Sequence, residues 1–214
     1  MDETLWAEPS PRTPEYVPYT PEDPRERLER SFEQWLTRIN GVNGEIIREQ
    51  IMKDPEINHL ILTAPGSRRA HQAFPGGYRE HMRQTMMIAS HLYELTQMTG
   101  AFNHLPPEER FDESDALLVM FLHDIEKPFL FEMKPDDTVG FRTQMTKPER
   151  TQFRDDFIVH HGFQLDDRHQ NALDHVEGVR DHLYVPGQRA DKPLAALCHA
   201  ADNLSARLFY DYTP

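Results

Sequence analysis

A chain of 214 residues can bury one substantial core and leaves little room for a second full domain. Thirty-six acidic side chains against 23 basic ones give a net charge of −13, which excludes broad non-specific binding to long nucleic acid, because such a surface repels phosphate backbones. The single cysteine, Cys198, excludes an internal disulfide and fits a reducing compartment.

The opening MDETLWAEPSPRTP is acidic and Pro-rich, without the basic start and apolar stretch of a signal peptide. No apolar run approaches the roughly 20 residues of a membrane span. A cytoplasmic protein without membrane contact is expected. Residues 1–24 carry Pro9, Pro11, Pro14, Pro18, Pro21 and Pro24. Each removes a backbone donor and fixes φ, so this segment reads as an extended N-terminal arm. Trp6, Tyr16, Val17 and Tyr19 suit it to lie along the domain or to link a homo-oligomer. Residues 25–214 read as one domain.

From Arg25 the pattern is helical: Leu28, Phe32, Trp35, Leu36 and Ile39 recur at three- and four-residue spacings, with Gly41 as a stop. A second short helix is expected near Gly44 to Met52, closed by Asp54-Pro55. Ala64 to Gly77 reads as a loop and Tyr78 to Met98 as a long helix ended by Gly100. After an acidic loop, Asp112 or Ser114 is placed to cap a helix over Ala116 to Leu122. That helix is apolar on every side, which implies burial all round. Pro128 to Met145 reads as a β-hairpin around Pro135-Asp136-Asp137 and Gly140. Helices resume near Lys147 to His161, Asp166 to Glu177 and Pro193 to Tyr210. The expected fold is a mainly α helical bundle with a small hairpin.

The chemistry lies in where His and Asp fall on these helices. His81 shares a stripe of the long helix with Ile88, Leu92 and Leu95. His123-Asp124 ends the wholly apolar helix, and Asp202 stands on the last helix in line with Ala195, Cys198, Ala206 and Phe209. A buried unpaired carboxylate is costly, and no Lys or Arg stands at helical spacing on the inward faces of Asp124 and Asp202. A metal shared with His81 and His123 satisfies all four groups. Two imidazoles and two carboxylates suit Mn, Fe, Co, Ni or Zn rather than Ca, which prefers oxygen alone. Arg68 and Arg69 are nearby basic residues in the sequence and become candidate phosphate clamps. A lone inward His is more often a hydrogen-bonded core residue than a ligand; the combination carries the argument, not any single residue.

Three segments, HQAFPGGYREH (His71 to His81), FLHDIEKPF (Phe121 to Phe129) and CHAADNLSARL (Cys198 to Leu208), resemble in order the motifs of the HD superfamily. They are similar to the "GG-x-x-EH", "HDxGK" and "H-x-x-DNLDA" patterns of its exonuclease-like, phosphodiesterase branch. The resemblance spans about Ala70 to Leu208 and departs at Glu126, where the family pattern has Gly. It implies an HD-type helical fold in which His81, His123, Asp124 and Asp202 bind a divalent metal. Lys127 then helps to hold phosphate, and Asp124 or a neighbouring His takes the proton of the attacking water. His175, with His160 or His161, stands where binuclear relatives place ligands for a second metal, so the resemblance implies one or two metals per chain. The implied activity is hydrolysis of a nucleotide or a short phosphodiester, the substrate being a small phosphate compound or a short oligonucleotide. Two other classes stay open at this stage: oxidation at a di-iron centre, and nucleotide sensing without turnover.

Overall fold

Short polar signals start the helices in the computed structural model, which describes residues 29–69, 72–178 and 190–210. The N-terminal arm over 1–24, together with Leu28, His71 and His182, lies outside the described residues. Ser31 caps α1 (Phe32–Leu36) through a reciprocal pair of bonds with Gln34. α1 is shorter than the 25–41 pattern suggested. Gly41 does not stop a helix; it opens α2 (Gly41–Ile46), which runs into a π-helical turn over Ile47–Ile51.

The helical run ends at Ile51, just before Asp54-Pro55, as expected, but the pair does more than close it. It begins a helix, α3 (Pro55–Thr63), that periodicity did not reveal. The Asp54 carboxylate accepts from the amides of Glu56 and Ile57, each at 2.9 Å. Pro55 occupies the first helical position, where its missing N–H leaves nothing unsatisfied.

The long helix α4 (Gly77–Met98) follows Gly76, whose φ of +77° lies in the left-handed region. A Cβ on Gly77 would lie 1.9 Å from the Gln72 carbonyl oxygen. The Gly-Gly pair thus permits the sharp entry that sets His81 in the second turn of α4.

Asp112 and Asp115 form the capping box of α5 (Glu113–Leu122). Every side chain from Ala116 to Leu122 is buried, as the all-round apolar pattern requires. A tight turn leads to α6 (Lys127–Leu130) and then to strands β1 (Phe131–Met133) and β2 (Val139–Phe141). These pair antiparallel with Phe131 opposite Phe141. The hairpin is therefore present but shorter than expected, since α6 takes its first residues. α7 (Lys147–His161), α8 (Asp167–His175) and α9 (Pro193–Leu208) complete the described chain.

The fold is mainly α with one small hairpin. α4, α5 and α9 pack on one another, α8 lies against α9 and α5, and α1 and α3 cover α4. Trp35, Tyr78, Met82, Met86, Leu117, Met120 and Phe121 fill the space between them. Burying each such side chain contributes about 1.5–3 kcal/mol. The His81 stripe is buried only at its start: Leu92 is half-buried and Leu95 is exposed. Phe129 of α6 meets Phe153 of α7 at 4.9 Å between ring centroids, which holds α7 beside the α5–α6 turn. Among the described residues no helix is long and apolar enough to cross a membrane.

Candidate metal centre

Three helices of the core bring four sequence-predicted side chains to one point. His81 Nε2 lies 3.3 Å from both Asp124 Oδ2 and Asp202 Oδ1. His123 Nε2 lies 3.2 Å from Asp124 Oδ2 and 3.6 Å from Asp202 Oδ1. His81, His123 and Asp124 are buried, and Asp202 is half-buried. Among the described residues His81, His123 and Asp124 form the group compact enough to hold a metal ion, with Asp202 at its edge.

Both imidazoles are oriented from behind. His123 Nδ1 lies 2.8 Å from the Met120 carbonyl oxygen, which can only accept, so Nδ1 carries a proton and Nε2 is the nitrogen turned to the carboxylates. For His81 the same result comes through a relay. The Glu80 carboxylate accepts from Gln84 Nε2 at 2.9 Å, which fixes the amide of Gln84. Gln84 Oε1 then faces Gln72 Nε2 at 2.6 Å and Ser205 Oγ at 3.3 Å. Ser205 donates to that oxygen and can accept from His81 Nδ1, 3.3 Å away, leaving His81 Nε2 directed at the carboxylates. Sequence reasoning passed over Gln84 and Ser205. Their signal was helical spacing, since each stands three residues after a predicted ligand.

Lys127 corrects part of the sequence argument. Its ammonium pairs with Asp124 Oδ2, so Asp124 does have a cationic partner within the chain. Lys127 stands three residues after Asp124, a helical spacing that the sequence argument passed over, and the turn over Asp124 to Glu126 keeps it there, its amide bonding the Asp124 carbonyl at 2.9 Å. Glu126 sits at φ −74° and ψ −22°, a right-handed conformation that needs no glycine.

The electrostatics are those of a tight cluster. Burial opposes ionisation of Asp124, but Lys127 and His123 outweigh it and hold its pKa well below the ordinary range. Asp202 is likewise held low by His123 and His81 against its own burial. Burial disfavours the His123 cation, yet the Asp124 charge dominates and lifts its pKa to about 10. Burial and the Asp124 charge push Glu126 up to about 7.

The donor set fits a transition metal on one further observation. His123 Nε2 is buried and forms no hydrogen bond, although it points at two carboxylates. Lys127 compensates charge on Asp124 but leaves that nitrogen unused. A divalent cation takes imidazole nitrogen and carboxylate oxygen together.

The other predicted residues stand elsewhere. His160 is exposed at the end of α7, and His161 rests on the Phe157 ring at 4.4 Å. His175 is buried and its Nδ1 donates to the Asn171 carbonyl at 2.9 Å, as His123 does to Met120, but it stands apart from the cluster of His81, His123 and Asp124. None of the three belongs to the metal-competent group. Arg68 stacks on Phe141, and with Arg69 it lines a cavity beside Lys134 and Asp137 of the hairpin; none of the four proposed ligands borders that cavity. The cation–π contact with Phe141 holds Arg68 at the hairpin, and Arg69 follows it in the chain.

A separate cavity of 270 Å³ does border the cluster, between His123 and Glu126 on one side and α7 and α8 on the other. Lys147, Arg150 and Arg154 line it. No protein-family model, no curated protein and no solved structure matches the chain, so these side chains are themselves the basis for any assignment.

Proposed function

We propose that the chain is a metal-dependent phosphohydrolase of the HD type, acting on a nucleotide or a short phosphodiester. The observation that carries this reading is the meeting of two imidazole nitrogens and two carboxylates from three helices, with His123 Nε2 buried and unused by any hydrogen bond. His81, His123, Asp124 and Asp202 would hold one divalent ion, of Mn, Fe, Co, Ni or Zn. When bound, such an ion supplies Lewis-acid polarisation and a more acidic water.

The chain's own residues supply the rest. The Met120 carbonyl and the Ser205–Gln84 relay keep both imidazoles in the tautomer that presents Nε2. Lys127 holds positive charge at Asp124 Oδ2, where it can neutralise the charge that develops on phosphoryl oxygens. The apolar wall of α5 behind the cluster excludes water and strengthens these interactions. The positions of His160, His161 and His175 favour one metal over two, and with it hydrolysis over chemistry at a di-iron pair.

Elemental analysis of the purified protein, followed by a phosphate-release panel over nucleotides, cyclic dinucleotides and short oligonucleotides, tests the proposal. Asp124→Ala and His81→Ala are each expected to lose metal and activity while circular dichroism keeps its helical signal. Full metal occupancy in either variant would remove the site, and oxygen consumption tied to turnover would replace hydrolysis with oxidation.

A further inference from the structure

The cavity between the cluster and α7–α8 contains more charge than its internal pairs use. Lys147 pairs with Glu177 across its mouth. Arg154 is committed to the Leu173 carbonyl at 2.9 Å and to Asp155, with Asp174 at 3.6 Å. Two groups remain. Arg150 donates Nε to the Met145 carbonyl at 3.4 Å and makes no ion pair among the described residues. Glu126 is only 7% exposed, and among the described residues its carboxyl hydrogen-bonds no other side chain. That carboxyl accepts from its own backbone amide and feels the Lys127 charge, and it lines the same space as Arg150.

We infer that this cavity is the substrate pocket of the proposed metal site, with Arg150 holding the anionic group of a small phosphate ester and Glu126 accepting a hydroxyl or amino donor from the rest of that molecule. The inference rests on the metal reading for its chemistry, but not for its binding. Arg150 presents a planar fork that matches two phosphate oxygens, on the side of the pocket formed by α7. His123 borders the pocket while His81, Asp124, Asp202 and Lys127 do not line it, so a phosphate held at Arg150 lies on the His123 side of the cluster and must extend past His123 to reach Lys127. Glu126 repels a second anion and leaves room for a donor-bearing moiety. A ligand lacking such a donor forgoes that hydrogen bond to the carboxyl, which favours donor-bearing ligands. At 270 Å³ the cavity lies just below the usual ligand-pocket range of about 300–1,000 Å³, which matches a mononucleotide or sugar phosphate and not an enclosed oligonucleotide. The net charge of −13 acts in the same direction, disfavouring a long polyanion.

The test is calorimetric titration of inorganic phosphate and of AMP into the full-length protein, metal-loaded and metal-stripped, with metal content measured on every sample. Arg150→Ala is expected to weaken both ligands at least tenfold with metal content unchanged; Arg150→Lys recovers part of this loss, and Arg68→Ala changes neither. Glu126→Gln is expected to lower the ratio of AMP to phosphate affinity at least fivefold, with phosphate bound as before or more tightly. Arg150→Ala protein that binds phosphate as well as the parent overturns the anion role. An unchanged affinity ratio, or loss of metal, in Glu126→Gln overturns the role given to that carboxyl. A parent protein that takes up no metal yet binds phosphate through Arg150 instead removes the hydrolase reading and leaves the pocket standing.

Discussion

Ser205→Ala probes the relay that orients His81. Ser205 is fully buried, and its hydroxyl spans His81 Nδ1 and Gln84 Oε1, each at 3.3 Å. Removing it takes this contact from both groups, though Gln84 Oε1 keeps its 2.6 Å bond from Gln72. Loss of a buried hydrogen-bond partner costs about 1–3 kcal/mol. Both contacts are longer than the usual O–H···O distance, which places the stability loss near 1 kcal/mol. The effect on metal binding is larger. Residues that orient ligating histidines are worth about 10–100-fold in metal affinity, or roughly 1.4–2.7 kcal/mol at 1.4 kcal/mol per tenfold. Affinity would be read by competition with a chelator, and stability by urea denaturation of the stripped protein. Metal affinity within twofold of the parent, alongside the same stability loss, would refute the reasoning and reduce the relay to packing.

Leu117 is fully buried in α5, so Leu117→Ala should lower the unfolding free energy by about 2–5 kcal/mol in urea denaturation; a loss under 1 kcal/mol would contradict all-round burial. His169 accounts for a pH dependence. It lies 2.8 Å from Asp166 and 3.0 Å from Asp115, with Arg168 beside both carboxylates. Burial opposes the His169 cation, but the hydrogen bond and charge of Asp115 outweigh it and raise the pKa above 6.5. Its stabilisation is therefore complete below the unfolded value of about 6.5 and is lost as pH rises through the folded one. Asp115 and Asp166 are held low, so their share is lost only as acid takes the pH down through their folded values. His169→Gln should accordingly cost more stability at pH 6 than at pH 9, and an equal cost at both would count against the ion pairs. Deleting residues 1–24 should leave a folded domain with its metal; a truncated protein without cooperative unfolding would place Trp6 and its neighbours in the core.

The sequence by itself determined the helices that hold the cluster. Apolar periodicity placed α4, α7 and α9 within a few residues, because burial of one face repeats every three to four positions whatever the partner is. The wholly apolar run before His123 announced a helix buried on all sides, and the grouping of His81, His123, Asp124 and Asp202 followed from where each sat on or at the end of its own helix. α3 was illegible because Asp54-Pro55 reads as an end, whereas it stands between two helices, following the run that ends at Ile51 and capping α3, which packs on α4. Tertiary structure alone decided the rest of the site. Lys127 stands three residues after Asp124, within reach of helical spacing, but the turn after α5 decides that its ammonium meets the carboxylate. Arg68, near the motif in sequence, lies over Phe141 with Arg69 beside the hairpin, while Arg150, 26 residues after Asp124, comes to the cavity at the side of the cluster. Linear distance predicts neighbours only within one continuous helix or strand. Once the chain turns, contact is set by which apolar faces must cover one another, and here the stacking of Phe129 on Phe153 brings α7 to the cluster.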